Sequence, residues 1–239
     1  MELASMTTGQ VERYLEGRST VALPAGSTEQ HGEMARLGCD ALVAESVCRL
    51  ACESSGTVMA PVLSYGMSDG HLDFAGTVSL APLTMAAVVR DVASSLASSG
   101  FGRIILFSAH GGNRGPALTG LYEAAREWPD AYMRYLSYWE LPGAAELEEE
   151  LFGGGSGFHA TAAEVSILMH LRPGFRPQAP SSPVMDMPAR GEVVGAEQWR
   201  RRFPEGPCGV DPKQVSADRG RILLEHLAES LARLLEEPE

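Results

Sequence analysis

Residues 102–109 carry Ile104-Ile105-Leu106-Phe107 without a polar interruption. An unbroken apolar run of strand length predicts a strand covered on both faces by helices, which is the situation inside a parallel sheet. The run ends directly in His110-Gly111-Gly112-Asn113, and a helix is predicted from about 114 to 127. A histidine beside flexible backbone at a strand's carboxyl end lies where open α/β sheets place ligands. The bland alternative is a histidine that only terminates a strand. Gly111 and Gly112 weigh against it, because they let backbone N–H groups approach a ligand closely.

The rest of the chain follows the same grammar. A short helix is predicted over 5–16, with Thr7 and Thr8 as caps. Strands are predicted at 19–24, at 57–63 with Pro61 interrupting or marking an edge, and at 132–138. Helices are predicted at 41–54, 82–98, 144–151, around Ala163 to Leu171, and from about 212 to 236. The glutamates of 144–151 read as a solvated face. Residues 66–79 contain three glycines and little periodicity, which predicts a long structured loop. Strands alternating with helices predict a three-layer α/β/α sandwich around a mainly parallel sheet. The whole chain, 1–239, is expected to form one domain with a Pro- and Gly-rich excursion at about 172–214, which could build a site rim or a subunit contact.

The segment 24–40 concentrates chemistry. Glu29, His31 and Asp40 follow the first strand within a dozen residues, and Gly26, Gly32 and Gly38 make the segment a loop. Glu29 and His31 are two apart, so in extended backbone they face the same side. A carboxylate and an imidazole aimed at one point suit a divalent metal. Solvated loop residues are the alternative for this pair, and a helix N-cap is the alternative for Asp40. Later, His159 precedes a predicted helix, and Glu164 lies inside that helix among small apolar neighbours. A glutamate there is costly to bury unless it is paired or bound to metal. Glu29, His31, Asp40, His110 and Glu164 form a mixed oxygen and nitrogen set suited to zinc, manganese or iron(II). With one carboxylate bridging, five residues suffice for two ions and a shared water, which is hydrolase chemistry.

Bulk properties narrow the partners. The net charge of −12 disfavours non-specific binding to nucleic acid or anionic membrane, since both need clustered cations. No apolar run reaches about 18 residues, and the amino terminus lacks a signal-peptide pattern, so a cytoplasmic location is expected. Cys39, Cys48, Cys52 and Cys208 make no disulfide framework for a chain of this length. Cys48 and Cys52, four apart, read as small buried residues, with a metal-binding pair as the alternative.

The sequence resembles the creatininase family of metal-dependent amidohydrolases. The matching pieces are Gly26-Ser27-Thr28-Glu29-Gln30-His31-Gly32 with Asp40 nine residues after the histidine. They continue with Gly66, Ser68, His71, Phe74, Gly76-Thr77 and Ser79-Leu80, then His110-Gly111-Gly112-Asn113, then His159-Ala160 with Glu164. Gly209-Val210-Asp211-Pro212 with Gly220-Arg221 matches a further block. The resemblance implies the α/β/α fold and two divalent ions per chain, with zinc expected first and manganese or iron as alternatives. By carry-over, Glu29 and His110 would hold one ion, His31 and Glu164 the other, and Asp40 would bridge. His159 would carry the proton. It also implies a homohexamer, a trimer of dimers.

The expected activity is cleavage of a C–N bond in an amide, cyclic amide or formamide by a metal-bridging hydroxide. Ser68, His71, Gly111, Gly112 and Asn113 are expected against the substrate, and a loop brace is the alternative for His71. Three departures from the family pattern stand out. Many relatives have a second histidine and a Leu-Pro after the first motif, where this chain has Glu33-Met34-Ala35-Arg36. Some relatives have a glutamate where this chain has Gly112. Creatinine-cleaving members place aromatic residues ahead of the catalytic histidine, whereas here 153–157 is glycine-rich. This leans the reading towards a formamide or a precursor peptide of the mycofactocin type. Arg36, Arg114 and Arg190 are candidates for a phosphorylated substrate's rim. A lactone or keto-inositol hydrolase and a non-catalytic scaffold are the remaining readings.

Overall fold

The computed structural model describes residues 1–189 and 191–237. Among these, four strands form one parallel sheet: β1 (Thr20–Ala25), β2 (Val58–Met59), β3 (Arg103–Ser108) and β4 (Tyr132–Ser137), in the order β2-β1-β3-β4. Val21 pairs with Val58 on one side and Ile104 on the other, and Ile104 pairs with Met133. Alternation along each strand divides the core in two. Val21, Leu23, Ile104 and Leu106 pack with helices α1 (Thr8–Leu15), α3 (Pro82–Ser98) and α4 (Arg114–Glu127). Ala22, Ile105 and Phe107 pack with α2 (Cys39–Ser55), α5 (Ala144–Phe152), α6 (Ala162–Leu171) and α8 (Ala217–Glu236). The architecture is the expected three-layer α/β/α sandwich.

The chain leaves β1 for β2 on one side, then crosses to β3 on the other. The carboxyl ends of β1 and β3 therefore flank the point where strand order reverses, the crevice that open α/β sheets use for ligands. Their last paired residues are Ala25 and Ser108. Glu29 and His31 follow the first, and His110 the second.

Three expectations need correction. The strand predicted over 57–63 is regular only at Val58–Met59. Pro61 has no N–H to donate, and beyond it only single contacts to β1 continue, such as Leu63 N to Pro24 O at 2.9 Å. The last helix begins at Ala217. Pro212–Gln214 is a separate 3-10 turn in which the Asp211 carboxylate accepts from Lys213 N at 3.0 Å. The excursion contains a short helix, α7 (Ala196–Arg202), that the Pro- and Gly-rich composition hid. The loop at 66–79 is as expected, with one 3-10 turn at Asp69–His71. Val78 N donates to Thr28 O at 2.9 Å, tying that loop to the one carrying Glu29.

Candidate metal centre

Two close approaches bring the separate motifs together. Gly26 lies against the first turn of α2, where a Cβ would overlap Ala41 N and the Asp40 carbonyl carbon. Asp40 therefore enters the site from the second residue of α2, while Gly38 occupies the cap position. Asn113 joins three loops. Its Nδ2 donates to Gly26 O at 2.9 Å, and its Oδ1 accepts from Met67 N at 3.1 Å.

The side chains then converge. His31 Nε2 lies 3.0 Å from Asp40 Oδ1, and His110 Nδ1 lies 3.2 Å from Asp40 Oδ2. His110 Nε2 lies 3.3 Å from Glu29 Oε2. Glu29 Oε1 faces His159 Nδ1 at 3.5 Å and His71 Nε2 at 3.6 Å. Glu29, His31 and Asp40 are each 1% exposed, so their charges are decided by one another rather than by water. Burial lowers the affinity of His31 for a proton, but the charge and hydrogen bond of Asp40, with Glu164 and Glu29, override it and push its pKa up to about 10. The same contest, with Glu29 ahead of Asp40, pushes His110 up to about 9. Burial would raise the Asp40 pKa, yet the two imidazoles hold it well below the usual carboxylate range.

This donor set fits a divalent cation. Neither Asp40 oxygen accepts a hydrogen bond of good geometry, although both are buried and face ring nitrogens at ion-pair distance. A buried carboxylate is costly unless positive charge compensates it, a task that the two protonated imidazoles perform at ion-pair distance and that a divalent cation among the same atoms would take over. Ligand atoms within 4.8 Å of one another fall into three groups among the described residues: Glu29, Asp40 and His110; Glu29, His31 and His159; and His31, Cys39 and Asp40. Cys39 is the odd member. Burial pushes its thiol well above its ordinary pKa, and Sγ donates to Glu164 O at 3.8 Å. All four cysteines are buried and free.

Glu164 belongs to none of these groups. It is the third residue of α6, where its Oε2 accepts from Thr161 N at 2.8 Å and its own N–H donates to Thr161 Oγ1 at 3.2 Å. That is a capping box. Burial and the nearby Asp40 charge push its pKa up to about 7, with His31 opposing. Its charge is thus felt at the site while one oxygen serves the helix.

His159 precedes α6 and is held by backbone pairing with Cys208, each N donating to the other's O at 3.3 Å. The next residue, Ala160, adopts φ 54°, a strained conformation for a side-chain-bearing residue. Burial drives the His159 pKa well below its ordinary value, aided by the charges of His71 and His31. The His71 ring stacks on it with centroids 4.2 Å apart.

The residues expected against the substrate divide. His71 is beside His159. Ser68 sits behind the cluster instead, its Oγ 2.6 Å from Ser27 Oγ and 3.4 Å from His110 Nε2. Asn113 is fully buried and its amide is saturated by the three loops it joins, so it braces the fold rather than meeting substrate. Gly111 is exposed at the turn. At Gly112 a Cβ would overlap Met67 O, so no side chain fits that position. Arg114 is paired with Glu140 at 2.5 Å, Arg36 lies over the Phe175 ring, and Arg190 lies outside the described residues.

Three contributors escaped sequence reasoning. Ser27 donates to Glu29 Oε2 at 3.0 Å. The Gln30 amide touches both His71 and His159. Trp199, on α7, stands edge-on to His71 at 4.4 Å and to His159 at 5.4 Å. Ser27 and Gln30 lay inside a recognised motif, whereas nothing near Trp199 marked it. A cavity of 1030 Å³ opens beside Gln30, lined by Gly32, Arg36, Phe74, Pro180 and Glu205 among others. A cavity of 530 Å³ around Arg18, Ser19 and Thr57 touches none of these residues.

The family model described as creatininase, creatinine amidohydrolase, matches residues 4–235. The creatinine amidohydrolase of Pseudomonas putida is 28% identical over 243 residues, 94% of this chain and 92% of its own. The mycofactocin precursor peptide peptidase of Mycobacterium ulcerans (strain Agy99) is 28% identical over 234 residues, 90% of this chain and 84% of its own. Among solved structures, a mutant creatininase described as a Zn-Zn type superposes with a TM-score of 0.85 at 26% identity. One described as creatininase Mn superposes with a TM-score of 0.86 at 25% identity. Each covers 98% of this chain and 96% of its own.

Proposed function

The chain belongs to the creatininase family of hydrolases, and from that premise we propose that it cleaves a C–N bond of an amide or formamide at a dinuclear metal centre. The observation that carries this reading is the pair of Asp40 oxygens, buried, without a hydrogen bond of good geometry, and each facing a different imidazole nitrogen at ion-pair distance. Glu29, Asp40 and His110 would hold one ion; His31, Asp40 and Glu164 would hold the other. The Gly112 geometry supports the assignment of Glu164. A side chain at Gly112 would strike Met67 O, and the charge of Glu164 is felt by His31, so Glu164 on α6 is the candidate for a further carboxylate. When bound, two such ions lower the pKa of a shared water and polarise a carbonyl oxygen.

The chain's own groups supply the rest. His159, kept neutral by burial, has Nδ1 turned towards Glu29 Oε1. It is placed to take a proton and pass it to the departing nitrogen. Ser27 orients Glu29, and Ser68 closes the space behind Ser27 and His110. Trp199 walls one side of the two imidazoles and limits water there. The glycine-rich run 153–157 ahead of His159 supplies no ring clamp, which favours a formamide or a short peptide of the kind named for the mycobacterial relatives over creatinine.

Metal content per chain, measured for protein purified without oxygen, tests the centre. Wild type should carry about two ions, and Asp40→Ala should lose both, because one bridging carboxylate serves each. Protein that takes up no zinc, manganese or iron(II) would sink the hydrolase reading.

A further inference from the structure

Gln30 lies between two proposed ligands yet contributes no ligand atom, and it is only 4% exposed. Its Oε1 accepts from Gly32 N at 2.9 Å, which decides the end of the amide that is oxygen. The nitrogen end then lies 2.9 Å from His71 Nδ1 and 2.9 Å from His159 Nε2. An amide NH2 only donates, and it has one hydrogen for each ring. His71 Nδ1 must therefore present a lone pair, which leaves its proton on Nε2, the nitrogen facing Glu29 Oε1.

At His159 the same residue offers two partners. Nε2 lies 2.8 Å from the Gln30 backbone oxygen as well as beside the Gln30 amide. When Nε2 carries a hydrogen it donates to the carbonyl; when it is bare it accepts from the amide. The ring keeps its place in either tautomer, and Nδ1, on the side of the metal cluster, is left free to be bare or protonated.

Gln30 is itself braced from the excursion. Gly206 adopts φ 101°, and a Cβ there would overlap Gln30 Oε1. Trp199 Nε1 donates to Gly206 O at 3.1 Å, and the Trp199 ring stands edge-on to both imidazoles.

We propose that Gln30 is a positioning residue that sets the tautomer of His71 and holds His159 in place in both of its tautomers, with Gly206 and Trp199 as its brace. The use made of His159 rests on the hydrolase reading above; the tautomer assignment does not.

The test is nitrogen NMR of histidine-labelled, zinc-loaded protein, with resonances assigned from His71→Asn and His159→Asn. Wild type should show His71 with bare Nδ1 and protonated Nε2. In Gln30→Glu the donor NH2 becomes an acceptor, so the His71 proton should move to Nδ1 while zinc per chain stays at the wild-type level. On any amide that wild type turns over, kcat should fall about tenfold or more with KM little changed, the pattern of impaired proton transfer rather than binding. Gly206→Ala, which leaves the Gln30 chemistry intact, should shift the resonances of both rings by displacing the amide. A wild-type His71 protonated on Nδ1, or unchanged tautomers in Gln30→Glu, would overturn the assignment. Unchanged rings in Gly206→Ala would overturn the brace. If wild type cleaves no amide, the hydrolase reading fails while the tautomer result still decides this one.

Discussion

Glu164 has a role in capping α6 and a proposed role at the metal centre, and one substitution separates them. As the third residue of α6 it closes a capping box with Thr161, and glutamine serves a capping box as well as glutamate does. Glutamine is, however, a poor replacement for a carboxylate at a cation. Glu164→Gln should therefore leave the unfolding free energy of chelated protein within about 1 kcal/mol of wild type, while bound metal in loaded protein falls to about one ion per chain. Full metal content in that variant would move Glu164 out of the ligand set. The convergence of Glu29, His31, Asp40 and His110 was legible because a recognisable motif carries them. What stood behind them was not: Asn113 looked like a substrate contact, yet its amide is used in holding Gly26 and Met67. A motif records that a residue type recurs at a position, without recording which way its side chain turns.

At the scale of elements, the site depends on the join between β1 and α2. Gly26 lets the first turn of α2 come against the end of β1, and the atom a Cβ would strike includes the Asp40 carbonyl carbon. Gly26→Ala should cost about 1–3 kcal/mol from overpacking and should also reduce bound metal, because Asp40 moves with the helix. Arg103 gives the contrast. It is buried at the start of β3 and donates to Leu234 O at 2.9 Å and Glu237 O at 2.6 Å, closing the last turn of α8. Arg103→Met should cost about 2 kcal/mol, read from denaturant unfolding, with metal content unchanged. Equal metal loss in the two variants would show that general destabilisation, rather than the β1–α2 join, empties the centre. The continuous apolar run of β3 and the periodic helices were readable because their burial repeats at a fixed period. The short β2 and α7 were not, since Pro61 breaks one pattern and the other is a single amphipathic turn or two inside a polar, Pro-rich stretch. Trp199 reaches the site only because tertiary folding returns that stretch to His71.

For the whole molecule, stability without metal should carry the charge state of the centre. His31 and His110, with pKa values raised to about 10 and about 9, contribute stability that is fully present below their ordinary value of 6.5 and is lost as pH rises through 9 to 10. Glu164, raised to about 7, contributes in the same direction between 4.5 and 7. His71 and His159, both lowered, oppose it there, because unfolding lets them gain protons as pH falls below 6.5. Above pH 7 the two raised imidazoles remain in play, joined near pH 9 by the buried thiols of Cys39, Cys48, Cys52 and Cys208, which burial raises and which act in the same direction, so chelated protein should melt progressively lower from pH 7 to pH 10. In the proposed centre, bound cations would take the place of those imidazole protons. Loading therefore releases protons and tightens as pH rises, and the gap in melting temperature between loaded and chelated protein should widen from pH 7 to pH 9. Asp40→Asn removes the main partner of His31 and one of two for His110, so chelated Asp40→Asn should show a flatter decline than chelated wild type. A gap that stays constant with pH would mean that the four convergent side chains carry no linked protons, and the buried carboxylate–imidazole cluster would then owe its stability to packing alone.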